Sequence, residues 1–391
     1  MEARFILWLE IYCAHLCTFP RGHNTPGIYE EKMRAKRYRG PDSPVYSVLY
    51  PMICVIKIFG LAPYDFSKDQ MVPSNAPLIF SLIFSAMYSW EMCVIYIGFQ
   101  TSKRDRIEYF YNIFQVVFNF CVAIYEILLA IFTRRSFVKV WNAIQDYDDA
   151  VRQLGYPRKE LKTGIVAWAI LILQASVWTI VNLTGMYAFG EQWFYNVAYI
   201  TIYFGSSVAL YKFVGITLLL GQRFSHLTEL AIKNLPPRSG FMKPGNVSRQ
   251  VNDRHSFYLQ DLHNELMVAG ERLDSLYRWS LLFWLANLCM HSVSNIYFII
   301  TWLLRPSFDD TYIPLICCYT AWLMSFILQL LLLHSACDNT SKNEVVESSV
   351  HMLNRKLQFS AAGCFYVDLP LLRSIVAVLS TYLVILLQLP E

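Results

Sequence analysis

The chain has 391 residues, 55% of them hydrophobic and only 16% charged, where a soluble domain carries about a quarter charged residues. Its mean hydropathy is +0.35. The formal net charge of +4 is too small, and too confined to the segments between apolar runs, for a nucleic-acid binder. Cys54, Cys93, Cys121, Cys289, Cys317, Cys318 and Cys337 fall inside those runs, where cysteine acts as a small hydrophobe rather than as part of a disulfide framework.

The apolar residues gather in stretches of about 20 or more, the length needed to cross roughly 30 Å of hydrocarbon as a helix. None shows the period-2 alternation of a membrane barrel strand. The first such run, 46–62, is shorter, carries Lys57 and is interrupted by Pro51 and Gly60. It is expected to be a membrane-associated or bundle-buried segment, not a span. Seven full spans are expected after it, at 77–99, 110–133, 164–187, 197–221, 279–304, 313–337 and 370–390. The fold class is therefore an all-α membrane protein of seven transmembrane helices with cytoplasmic helical extensions. Its expected division is a cytoplasmic N-terminal region 1–76, a six-helix ligand-binding and anchoring bundle 77–337, and a connecting segment with the last helix, 338–391.

Lysine and arginine in the loops set the orientation. With the N-terminus inside, the inner segments carry 27 basic residues and the outer ones 4. That asymmetry predicts a cytoplasmic N-terminus and an extracellular C-terminus in a plasma-membrane protein. The outer loops are short, so a ligand arriving from outside must be met between helices. In the long inner loop, Leu259, Leu262, Leu266, Ala269, Leu273 and Leu276 recur at spacings of three and four. This heptad seam predicts either an extension of the following span packed within the chain or a helical bundle joining subunits.

Within the spans, ionisable side chains are costly and informative. Glu126 and Lys212 lie at nearly the same depth, which predicts an intramembrane ion pair; Glu91 has no candidate partner at its level. The outer halves carry aromatics and amides: Gln115, Asn119, Trp178, Asn182, Tyr199, Tyr203, Asn295, Tyr297, Tyr319 and Trp322. Singly, each suits an interfacial belt or the core; as a set they suggest a polar cavity open outward, the kind of place between helices where small molecules bind. His291 and His334 lie on different spans and read as satisfied bundle histidines, not metal ligands. No G-x-S-x-G, H-E-x-x-H, C-x-x-C pair or Walker loop is present, so neither an enzyme nor a cofactor is expected.

The C-terminus reads Ser380-Thr381-Tyr382-Leu383-Val384-Ile385-Leu386-Leu387-Gln388-Leu389. It resembles the signature of the insect gustatory receptors: Thr-Tyr, five hydrophobic residues, then Gln-Phe, with Leu389 in place of the closing Phe. Phe359 to Gly363 with Asp368, and Gly60-Leu61-Ala62-Pro63-Tyr64, are similar to two further elements of that family. The resemblance implies a relative of the insect odorant receptors: a ligand-gated, non-selective cation channel of sensory neurons. It would be a homo- or hetero-tetramer of related subunits in membrane lipid, detecting a non-volatile tastant. A bitter or aversive compound is the expected kind, though no particular residue dictates it. By position, Gln388 and Leu389 would stand at the narrow outer end of the pore, with Thr381 and Tyr382 nearly two turns below. The ligand pocket would lie among the outer halves of spans two to six. A G-protein-coupled receptor is the first rival, but its usual topology is inverted and no Asn-Pro-x-x-Tyr or Asp-Arg-Tyr is present. A transporter or membrane enzyme is the second, and the internal repeats common in transporters are not evident.

Overall fold

The structure is a computed structural model. It describes residues 44–66, 70–101, 106–156, 160–189, 193–234, 246–304, 313–343 and 356–388; the expectations for 1–43 and for Leu389 lie outside these.

Described in chain order are α1 (Pro44–Ile58), β1 (Tyr64–Phe66), β2 (Met71–Pro73), α2 (Asn75–Thr101), α3 (Arg106–Gln153), α4 (Leu161–Phe189), α5 (Trp193–Asn234), α6 (Asn246–Leu303), α7 (Ile313–Asn343), β3 (Ser360–Ala361), β4 (Phe365–Tyr366) and α8 (Leu369–Gln388). Six helices, α2 to α7, are long and apolar enough to cross a membrane. The seventh, α8, has 20 residues and reaches about 30 Å, also a full span. The result is an all-α, seven-helix membrane fold. Helices win here because lipid offers no partner to backbone N–H and C=O groups, which a helix satisfies internally.

The helix α1 has 15 residues with Pro51 inside it. At about 22 Å it falls short of the hydrocarbon thickness. It ends at Gly60, whose φ of +68° lets the chain turn where a side chain would be strained. The β1–β2 hairpin follows and wedges against α3. Tyr64 stacks on Phe137 at 5.2 Å, Phe66 meets Trp141 at 6.0 Å, and the Asn142 amide bonds both the N–H and the C=O of Met71 at 3.1 Å.

At the basic-loop end three helices overrun the bilayer. The lengths of α3, α5 and α6 are 48, 42 and 58 residues, roughly 70, 60 and 90 Å. The heptad seam lies on the overrun of α6, with Leu262, Leu266, Ala269 and Leu273 all at most 4% exposed. It is buried within this one chain, the first of its two expected uses.

The core is built around α5, whose apolar window is 83% buried against 22% for α4. Small residues let neighbours approach this central helix. A Cβ at Gly221 would come within 2.7 Å of the Thr340 hydroxyl of α7, and one at Gly205 would overlap the Tyr88 hydroxyl of α2. The last helix differs. Leu371, Leu372 and Ile375 of its first turns pack on the core, whereas Val376, Val378, Tyr382, Val384 and Ile385 stand at least 50% exposed. Its inner end is fixed by the β3–β4 hairpin. That hairpin turns through Ala362 and Gly363, both at positive φ, and is closed by a 2.9 Å bond from Cys364 N–H to the Ala361 carbonyl. Asp274 of α6 accepts from the Ser360 N–H at 2.7 Å, and Asp368 caps α8 by accepting from the Leu371 N–H at 2.8 Å.

Candidate functional site

Trp178 of α4, Tyr203 of α5, His291 of α6 and Trp322 of α7 each lie 9 to 12 residues in from the short-loop ends of their helices, roughly 14–18 Å deep. Their rings converge. Trp322 lies 6.0 Å from Trp178, 5.1 Å from Tyr199 (stacked), 4.8 Å from Tyr203 and 6.4 Å from His291. Phe326, one turn along α7, stacks on His291 at 4.7 Å. Tyr199 donates to the Tyr203 hydroxyl at 3.4 Å. These six rings from four helices form an aromatic box in the outer half of the bundle.

The box holds buried polar atoms that nothing satisfies. The indole N–H groups of Trp178 and Trp322, both ring nitrogens of His291, and the amide nitrogen of Asn295, one turn above His291, are all without a hydrogen-bond partner. His291 is 0% exposed, Asn295 2% and Trp178 4%. A buried donor left unmatched costs about 1–3 kcal/mol. Trp141, Gln145 and Trp284 elsewhere in the bundle carry such atoms too, but here the unmatched nitrogens of Trp178, His291 and Trp322 belong to rings packed around one another.

The remaining sequence candidates have other uses. Gln115 donates to Ser294 across α3 and α6, and Asn287 donates to Asn119 at 2.9 Å between the same helices. The Asn196 amide donates to both the carbonyl and the side chain of Asn182, joining α5 to α4. These bonds are helix–helix glue. Tyr319 packs on Phe298 and Trp302, and Tyr297 on Phe298, in a separate aromatic cluster between α6 and α7. Of the ten pocket candidates, Trp178, Tyr199, Tyr203 and Trp322 share the box and Asn295 adjoins it.

His291 is the residue the sequence discounted. The expectation that it is a satisfied bundle histidine does not hold, since neither of its nitrogens finds a partner. His334 differs: its Nδ1 pairs with the Leu330 carbonyl at 2.8 Å. The signal that could have singled out His291 is its spacing to Asn295, four residues on and hence on the same helix face.

The charged pair read from depth is not in contact. The Lys212 ammonium donates to the Leu61 carbonyl at 2.8 Å and sits 4.2 Å over the Phe137 ring and 5.5 Å from the Tyr64 ring. A backbone acceptor and two ring faces stabilise it. Glu126 is 3% exposed and its Oε1 has no partner. The Lys212 hydrogen bond goes instead to a backbone carbonyl just ahead of the hairpin that follows α1.

A buried ionic network missed by the sequence reading lies at the basic end. Arg223 of α5, 0% exposed, grips Asp148 of α3 at 3.1 and 2.7 Å and Glu160 at 3.0 Å. Glu160 also accepts from Thr163 at 3.0 Å. Near it a cavity of about 60 Å³ lies between α1, α4 and α5, lined by Leu49, Met52, Thr163, Tyr211 and Gln222 among others. Its polar groups are already engaged, Tyr211 with Gln174 at 2.7 Å and Thr163 with Gln222 at 2.9 Å. It therefore lacks the unmet hydrogen-bonding capacity of the box. No cluster of metal-ligating side chains occurs among the described residues.

On α8, Thr381 donates to the Ala377 carbonyl at 3.0 Å, Tyr382 is 59% exposed, and Gln388 is exposed at the helix end.

Comparison with known proteins agrees with this architecture. Two solved structures of the insect olfactory receptor OR5 from Machilis hrabei are similar over 88% of this chain and 98% of theirs. One matches at a TM-score of 0.58 and 15% identity, and the other, in complex with eugenol, at 0.60 and 16%. No curated protein sequence matches. The profile of the 7tm chemosensory receptors matches residues 49–347, most of the chain, and the protein belongs to that family.

Proposed function

We propose that this chemosensory receptor is a subunit of a ligand-gated, non-selective cation channel of the gustatory kind, which takes a small non-volatile molecule into the aromatic box from outside the cell. The observation that carries the reading is the box itself: six rings from α4, α5, α6 and α7 around buried donors with no partner. The structural neighbour in complex with eugenol supports a small organic ligand.

The gate is read from α8. A helix that leaves Val376, Val378, Tyr382, Val384 and Ile385 uncovered suits assembly around a shared axis. In a tetramer, four copies of Thr381, Tyr382, Gln388 and Leu389 would surround the ion path. Apolar rings block ions by excluding water, and amide dipoles replace part of an ion's hydration. The ligand would act by binding the open arrangement more tightly than the closed one. The cells are sensory neurons and the compartment the plasma membrane, with the basic loops inside.

The test is current recording from cells expressing the chain against a panel of compounds, with surface expression matched. Trp322→Ala should weaken the response of an active compound by about 10- to 100-fold, the loss of a buried aromatic anchor. Gln388→Ala should change ion selectivity or basal current. An unchanged concentration–response curve in Trp322→Ala would remove the box from ligand binding, and unaltered conduction in Gln388→Ala would remove Gln388 from the pore.

A further inference from the structure

We infer that the box selects uncharged, flat molecules that bear a hydrogen-bond acceptor such as a carbonyl or ether oxygen, and that His291 reads that acceptor. This rests on the box being the ligand site.

Trp178 and Trp322 each present one N–H, Asn295 presents its amide N–H groups, and a neutral His291 presents one donor and one acceptor. Donors outnumber acceptors. An ammonium, which only donates, leaves them unmet, whereas a carbonyl or ether oxygen accepts from at least one of them; a polyol can also accept, but each of its hydroxyl hydrogens then needs an acceptor that the box is short of. Tyr203, whose oxygen accepts from Tyr199, still has its own O–H to donate and so adds to the donor side.

Charge comes next. Ion pairs among the described residues include Lys57 with Asp65, Arg152 with Asp149, Arg223 with Asp148 and Glu160, Arg278 with Asp274, and Lys342 with Asp338. None involves a residue of the box. A carboxylate at similar depth on α2, Glu91, follows Tyr88 by three residues and so faces nearly the same way as it. Tyr88, one turn before it on α2, donates to the Thr201 carbonyl at 3.4 Å. Thr201 lies about 200° around α5 from both Tyr199 and Tyr203. A bound ammonium ion would thus have ring faces but no counter-ion, at a depth where an unpaired charge is penalised.

Shape is the third element. The rings touch one another, so a ligand enters by parting them and takes over their face-to-face and edge contacts. His291 stacks on Phe326 at an interplanar angle of 20°, and Tyr199 stacks on Trp322 at 29°. Two stacked pairs, once parted, accept a flat body.

The experiment uses the full chain in lipid nanodiscs and saturation-transfer NMR titrations with four probes: 1-indanone, indane, protonated 1-aminoindane and sucrose. Site binding is taken as the signal lost in Trp322→Ala. The expected result is that 1-indanone binds about tenfold or more tightly than indane, since one buried hydrogen bond separates them. His291→Phe keeps the ring but removes its nitrogens and should bring the two within about threefold. Trp178→Phe is the second variant if His291→Phe does not fold. Equal binding of indanone and indane, with both lost in Trp322→Ala, overturns the selectivity and leaves the box as the site. Preference for aminoindane or sucrose overturns it likewise. No Trp322-dependent signal from any probe overturns both the selectivity and the box.

Discussion

Arg223 carries a prediction that separates structural charge from functional charge. Its guanidinium is fully buried and holds two carboxylates from different parts of the chain, Asp148 on α3 and Glu160 before α4, by bonds of 2.7 to 3.1 Å. Replacing it with Leu keeps much of the volume but leaves Glu160, with a side chain 4% exposed, beside Asp148, 20% exposed. Two like charges would then share one site without a cation. Breaking a buried pair from one side costs about 3–5 kcal/mol, because the surviving charge is uncompensated. Glu160→Gln should cost less, about 1–2 kcal/mol, since the amide oxygen still accepts from Arg223 while the amide nitrogen can donate to the Thr163 hydroxyl, which has Gln222 to donate to. In Arg223→Leu/Glu160→Gln, the loss should be smaller than the sum of the two single losses. Thermal unfolding of the purified protein, followed by its tryptophan fluorescence, measures all three. Lys162→Ala, at an exposed position one residue into α4, is the control. If Arg223→Leu melts no lower than Lys162→Ala, the network contributes nothing and the argument from burial is wrong.

Two further outcomes follow from single contacts. Asp274→Ala strands the buried Ser360 N–H that now donates to it at 2.7 Å. Hydrogen exchange across 359–367 should quicken by about 10- to 100-fold while α5 is unaffected; unchanged exchange would show that other contacts hold the hairpin. Lys212→Met should destabilise more than Glu126→Gln. The first leaves the Leu61 carbonyl without its 2.8 Å donor, whereas the second neutralises a buried carboxylate whose Oε1 already lacks a partner. The reverse order in thermal unfolding would indicate that Glu126, not Leu61, supplies the main partner of Lys212.

The spans were legible because lipid imposes one rule on every segment: length and apolar composition suffice to call a helix. The seventh was readable for the same reason. The hairpins were not. Strands of three and two residues are too short to show an alternation, and the first of them decides where Lys212 points. Two residues at equal depth on different helices are candidates to meet only if no better partner is at hand. For Lys212 the Leu61 carbonyl and the rings of Tyr64 and Phe137 are. Arg223 was missed for a different reason. It sits two residues beyond the end expected for its span, at 221, so it was counted among loop charges. In the structure α5 continues unbroken to Asn234, and the overrun keeps one buried face, with Arg223, Phe224, Leu227 and Leu230 at most 3% exposed.

The site was half legible, and the missing half is rotational. A sequence gives depth along a helix but not which neighbour each face meets. That is why amides and aromatics of one layer looked alike. Gln115, Asn119 and Asn182 sit at seams between two helices, where an amide finds a second polar group to bond. Trp178, Tyr203 and Trp322 point to where four helices meet, and there the helix backbones have already used their hydrogen-bonding groups. A polar side chain aimed at such a junction has only other side chains or a ligand to satisfy it. His291 shows the consequence: both faces of its ring are covered, by Phe326 and by Tyr203 at 5.3 Å, and both nitrogens remain free. The default for a histidine in a helical bundle is a satisfied ring, because an unsatisfied one is costly. Other buried groups, such as the indoles of Trp141 and Trp284, are unmatched as well; what separates this layer is that Trp178, His291 and Trp322 bring theirs together at one junction of rings.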